Sequence, residues 1–161
     1  MTLRILATGG TFDKHYNELN GSLGFDVSHV PEAIARSRMT VGTVLEQLPL
    51  LDSLDMQDAD RARVLSSCRA AGETAIVIVH GTDTMRETAA VLGAAALGKT
   101  VVLTGAMIPY EIAHSDALFN LGFACAAAQI LPAGVYVAMN GTIFAWDNVQ
   151  KNRDAGVFQT L

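Results

Sequence analysis

The sequence predicts an α/β domain: an open, mainly parallel sheet with helices on both faces (a Rossmann- or flavodoxin-like three-layer arrangement) and a β-hairpin near the C-terminus. Three observations carry this. Short apolar runs with β-branched content, Leu3–Ala7, Ala75–Val79, Thr100–Leu103 and Val135–Met139, read as buried strands. Longer runs with helix start and stop signals lie between them, so consecutive strands need right-handed crossovers. Three of these runs also end in a turn of small and polar residues: Thr8-Gly9-Gly10-Thr11, His80-Gly81-Thr82-Asp83-Thr84 and Thr104-Gly105-Ala106.

Taken in order, Leu3–Ala7 is the first strand, ended by Thr8-Gly9-Gly10-Thr11. Residues 12–29 are polar, carry Gly21 and Gly24 and have no period, which is the signature of a functional loop. Pro31–Arg38 is a short helix with proline in its first turn. Val44–Leu51, broken by Pro49, is an edge strand and its exit. Asp55–Ala71 has Asp58 and Asp60 early, Arg69 late and Gly72 just beyond, the charge order of a helix with a glycine stop. Thr84-Met85-Arg86-Glu87 has capping-box spacing and opens the helix Met85–Leu97, with Gly98 after it. Residues 106–114 form a loop, and Ser115–Leu131 is a helix terminated by Pro132. Asn140-Gly141 after Val135–Met139 is a strong hairpin signal, with Thr142–Trp146 returning antiparallel.

At 161 residues the chain reads as one domain, 1–161, large enough to bury a core without staples. Charged residues are 17% and hydrophobic ones 50%, against roughly 25% charged in an average soluble chain. So little charge suggests that part of the surface is covered, and a homo-oligomer is expected. A net charge of −5 argues against nucleic acid or an anionic membrane as partner. Cys68 and Cys125 have no metal-ligand spacing and read as small core residues in a reducing compartment. The N-terminus does not resemble a signal peptide and no run is long enough to span a membrane, so a cytoplasmic location is expected.

The carboxyl ends of strands are where open α/β sheets bind ligands. A phosphate cradle is one reading of Thr8-Gly9-Gly10-Thr11, yet the segment fits neither GxGxxG nor GxxxxGK[ST]. Acyl transfer uses the residues better, because it needs a nucleophile, a proton acceptor, oxyanion donors and a substrate clamp. Thr11 and Thr82 offer two hydroxyls at strand ends, with glycines that admit close backbone approach. A threonine hydroxyl needs a base within hydrogen-bond reach, for which Lys151, Tyr16 and the histidines are candidates. Each threonine also has a plainer use as a helix cap. His80, before a glycine at the end of a buried strand, reads as a hydrogen-bonded structural histidine. His15, His29 and His114 show no ligand spacing, so neither a metal nor a cofactor is expected.

Thr8-Gly9-Gly10-Thr11 and His80-Gly81-Thr82-Asp83-Thr84-Met85 resemble the two signature segments of bacterial-type L-asparaginases. Asp52-Ser53-Leu54-Asp55-Met56, Thr104-Gly105-Ala106-Met107-Ile108-Pro109, Ser115-Asp116-Ala117-Leu118-Phe119-Asn120-Leu121 and Met139-Asn140-Gly141-Thr142 match in order and spacing, so the resemblance covers nearly all of the chain. The chain is also similar to short, single-domain members of α-proteobacterial type. The resemblance implies L-asparagine as substrate, released as L-aspartate and ammonia through a threonine acyl-enzyme, with glutamine a weaker substrate. It implies Thr11 as primary nucleophile and Thr82, Asp83 and Lys151 as a second triad, in which the lysine needs a neutral fraction to act as a base; burial works toward that and the adjacent Asp83 charge against it. Ser53 and Asp83 correspond to the clamps for substrate carboxylate and amino groups. Thr82, Gly10 and the backbone at Ala106 correspond to further substrate contacts. Tyr16 corresponds to a mobile-loop tyrosine that assists Thr11, and the 12–29 loop is expected to close over substrate.

Two departures bear on function. Leu54 stands where many members place a polar substrate-binding residue. The familiar members carry a second domain that gives an acidic residue to a neighbour's site, and nothing in residues 1–161 matches it. The rival expectation is therefore a non-catalytic sensor that binds asparagine or aspartate in the same pocket. A third is an amidase in tRNA-linked amidation, which the lack of a basic face disfavours.

Overall fold

A computed structural model describes all of residues 1–161. In chain order the elements are β1 (Thr2–Gly9), a 3-10 turn (Thr11–Asp13), β2 (His15–Asn17), β3 (Ser22–Gly24), α1 (Val30–Arg36), β4 (Gly42–Leu51), α2 (Asp58–Ala70), β5 (Ala75–Val79) and α3 (Met85–Ala94). They continue with β6 (Thr100–Thr104), α4 (Ala117–Ile130), β7 (Gly134–Met139), β8 (Thr142–Ala145), β9 (Gln150–Asn152) and β10 (Val157–Gln159). Six strands form one sheet in the order β4-β1-β5-β6-β7-β8, parallel except for β8.

Strand alternation assigns the two faces. Ala75, Val77 and Val79 of β5 pack in one cluster with Val30 and Ala33 of α1 and with Ala117, Leu121 and Ala124 of α4. Ile76 and Ile78 point the other way, into a cluster with Val64 and Cys68 of α2 and Met85, Ala89 and Leu92 of α3. Thus α1 and α4 cover one face and α2 and α3 the other, which is the predicted three-layer arrangement. Buried threonines bind neighbouring strand ends: Thr8 donates to the Val79 carbonyl (2.9 Å) and Thr104 to that of Ala138 (2.9 Å). Both cysteines are buried and unbridged. No helix is long and apolar enough to cross a membrane.

The β7–β8 hairpin forms as expected, with Asn140 at φ 55° and Gly141 at φ 73°, the two left-handed residues of a type I′ turn. Four details differ from the sequence reading. The aperiodic 12–29 stretch has structure of its own: the 3-10 turn buries Phe12 and Asp13, and β2 and β3 pair as a small antiparallel hairpin. Residues 147–161 hold a second hairpin, β9–β10. β4 runs through Pro49 to Leu51 because an edge strand loses little with the missing N–H. The capping box at Thr84 does not form, since Thr84 Oγ1 donates instead to the Ser53 carbonyl (2.7 Å); α2 carries one in its place, from Gln57 and Asp60.

Candidate active site

The chain leaves β1 toward α1 on one face and leaves the adjacent β5 toward α3 on the other. Adjacent strands whose connections part in this way open a crevice at their carboxyl ends. Three segments meet there. Gly10, at φ 72°, lies so close to β5's exit that a Cβ on it would sit 2.3 Å from the Gly81 Cα. A Cβ on Gly81 would sit 2.5 Å from the Ser53 Cβ, beyond the end of β4. The glycines therefore bring the backbones preceding Thr11 and Thr82 into contact, with Ser53 behind them.

Lys151, from β9, reaches into this junction. Its Nζ donates to Thr82 Oγ1 (2.8 Å) and Asp83 Oδ1 (2.9 Å), and Arg153 Nε lies 3.7 Å from the same carboxylate oxygen. The lysine side chain is only 13% exposed and Thr82 is buried, so this contact is largely shielded from water. Ser53 is also buried; its hydroxyl accepts from Thr84 N–H (3.3 Å). Lys14 pairs with Asp52 at 2.6 Å and fastens the segment after Thr11 to the Ser53 turn. Burial alone would raise the Asp52 pKa, but the Lys14 ammonium and the Leu54 N–H hold it below the usual value.

The family profile "Asparaginase, N-terminal" matches residues 2–159. This chain belongs to the asparaginase family. It is 34% identical over 129 residues to L-asparaginase 1 of Escherichia coli strain K12, covering 74% of this chain and 38% of that protein. It is also 34% identical over 144 residues to the human 60 kDa lysophospholipase, covering 87% of this chain and 24% of that one. The structure of the thermostable L-asparaginase from Thermococcus kodakarensis superposes with a TM-score of 0.85 at 29% identity, covering all of this chain and 51% of that one. The chain thus spans about half the length of these relatives or less.

Of the residues that the asparaginase resemblance singles out, Gly10, Ser53, Thr82, Asp83 and Lys151 gather at the crevice, and Thr11 opens the 3-10 turn directly after Gly10. Ala106 is buried just past the end of β6. Its loop is held by Asp116, which accepts from the N–H groups of Met107 and Ile108 (3.0 Å each), and by Asn120, which donates to the Gly105 carbonyl (3.0 Å). Tyr16 stands apart: it is 57% exposed on β2, its hydroxyl 4.0 Å from where a Cβ on Gly21 would lie. Leu54 is exposed.

His80 is the structural histidine expected. Nδ1 faces the Gly81 carbonyl (2.8 Å), which only accepts, so Nδ1 carries the proton and Nε2 accepts from Thr88 (2.8 Å). Complete burial pushes its pKa down to about 4. Asp13 moves oppositely, burial raising it to about 6 against opposing hydrogen bonds from His29 N–H and Ser28. His29 lies below its ordinary pKa through burial and the neighbouring His15.

Sequence reasoning missed Arg153, the contact of Thr84 with Ser53 and the Lys14–Asp52 pair. Arg153 lies in the turn directly after β9, and only its nearness in sequence to the candidate Lys151 could have flagged it. The other two depend on segments far apart in sequence.

Proposed function

We propose that this chain is an L-asparagine amidohydrolase that releases L-aspartate and ammonia without a cofactor. The observation that carries the proposal is Lys151 bridging Thr82 Oγ1 and Asp83 Oδ1 beside the Gly10–Gly81 contact that delivers Thr11. In this reading Thr11 Oγ attacks the side-chain carboxamide carbon. The C–N bond breaks, the hydroxyl proton goes to the departing nitrogen, and ammonia leaves an ester on Thr11. Water then attacks the ester and the bond between the acyl carbon and the Thr11 oxygen breaks; one water proton passes through Thr82 to Lys151 and the other goes to the Thr11 oxygen, releasing the aspartate carboxylate. Asp83 and Ser53 clamp the substrate's amino and carboxylate groups, while Gly10 and the Ala106 backbone shape the carboxamide's seat. Tyr16 assists Thr11 only when the β2–β3 hairpin folds inward over the substrate. In the same reading the site is sized for the shorter side chain, and glutamine, one methylene longer, is expected to turn over roughly 10–200-fold more slowly.

Residues 1–161 form one folded unit, which we place in the cytoplasm as part of a homo-oligomer. The low charge content supports the assembly.

Incubating the purified chain with L-asparagine and assaying ammonia tests the proposal. The expected result is turnover that Thr11→Ala and Thr82→Ala each abolish. Full activity in both variants overturns the mechanism, and calorimetric binding of asparagine without ammonia release identifies a sensor instead.

A further inference from the structure

At the base of the β2–β3 hairpin, three segments bring together side chains that the proposed hydrolysis does not use. His15 lies on β2, His29 just before α1, and Glu111 in the loop after β6. Glu111 Oε2 is 3.3 Å from His15 Nδ1 and 3.7 Å from His29 Nε2, and one ligand atom from each residue lies within 4.8 Å of the other two. Two ligands about 2.0–2.2 Å from a tetrahedral zinc ion stand about 3.3–3.6 Å apart, so the His15 distance fits a common ion as it stands and the His29 distance of 3.7 Å needs only a small closing movement.

Two further observations point to a ligand. His29 has a side chain only 9% exposed, yet its Nε2 is enclosed with no hydrogen-bond partner, an orphaned polar atom aimed at the cluster. The outer contacts are those of a metal site. His15 Nε2 donates to the Val27 carbonyl (2.9 Å), which leaves the neutral ring's lone pair on Nδ1, toward Glu111. Glu111 Oε1 accepts the Tyr16 N–H, which orients the carboxylate and leaves Oε2 for the ion.

We infer that His15, His29 and Glu111 form a binding site for a divalent cation of the zinc class, with a fourth position open to water. The two imidazoles pack at 4.1 Å between centroids, and on binding the partly exposed His15 ring swings to share the ion with His29. The bound ion ties the β2–β3 hairpin to the 109–114 loop beside Tyr16. The spacing of 15, 29 and 111 in the chain conceals this site, because each ligand comes from a different segment. It stands independently of whether the crevice hydrolyses asparagine.

The test is calorimetric titration of the chelator-stripped full chain with Zn²⁺, and with Co²⁺ for the visible bands of a tetrahedral site. Wild type is expected to bind one ion with micromolar or tighter affinity. Glu111→Gln and His29→Gln are each expected to weaken it by more than the roughly 10–100-fold lost with an outer-shell partner. Glu111→Gln is partly exposed and keeps the acceptor for Tyr16 N–H, so it preserves the fold; His114→Gln, outside the cluster, leaves affinity unchanged. Slower amide exchange across Tyr16–Gly24 on adding Zn²⁺, in wild type only, reports the tie itself. Absence of micromolar binding, equal binding in Glu111→Gln and His29→Gln, or loss in His114→Gln alone overturns the site and leaves a histidine–glutamate ion pair. Binding without slowed exchange overturns the tie.

Discussion

Lys151 reaches Thr82 and Asp83 from a hairpin outside the main sheet, so its removal should cost chemistry and leave the fold intact. Lys151→Met is expected to lower kcat by about 10²–10⁴-fold with an unchanged far-UV spectrum, the usual worth of a positioned proton acceptor. A buried histidine gives a prediction of another kind. His80 has a folded pKa of about 4, below the ordinary 6.5. Below pH 6.5 the unfolded chain binds a proton that the folded chain refuses. The His80 contribution to stability is therefore complete above pH 6.5 and falls by about 3 kcal/mol as pH drops to 4. Asp13, raised from 3.8 to about 6, works in the opposite sense over much of that range, stability gained as pH falls from 6 toward 3.8. The measurement is therefore a difference: urea midpoints of wild type and His80→Gln from pH 7 to 4, with the variant gaining relative to wild type as pH falls.

Among the elements, the exits of β1 and β5 depend on glycine more than any other feature. Gly10→Ala places a methyl group 2.3 Å from backbone at a left-handed φ, where neither segment has room to retreat. We expect Tm to fall by roughly 3–10 °C and ammonia release to be lost together, checked by thermal melting and assay. The same glycines made the crevice legible in sequence, since Gly-Thr turns after apolar strands are local patterns. Asn140-Gly141 was legible for the same reason. The 12–29 region was not, because its order comes from side-chain contacts that leave no periodic pattern: Asp13 accepting from Ser28 and His29 N–H at its far end, and Glu111 of a distant loop holding Tyr16. The β9–β10 hairpin lacks both apolar alternation and a tight-turn dipeptide. The capping box at Thr84 failed through competition, the hydroxyl finding the Ser53 carbonyl of another segment before its own helix.

For the whole molecule, the surface to watch is the outer side of α4. Phe119 is 61% exposed and stacks on Phe123 at 6.1 Å, with its ring also near Gly141 of the β7–β8 turn; Ile130 is 81% exposed. An apolar patch across a helix and a hairpin turn fits a second copy of the chain. Sedimentation velocity is expected to give a species heavier than the 17.0 kDa chain, and Phe119→Glu to return it to that mass. A single 17.0 kDa species for wild type would refute self-association through this patch.

The reach of Lys151 back to Thr82 also bears on synthesis. Position 11 emerges from the ribosome early and position 151 late, so the polar cluster is incomplete while most of the chain is translated. Any chain halted before residue 151 therefore holds both glycine–threonine turns but lacks the amine that bridges Thr82 and Asp83.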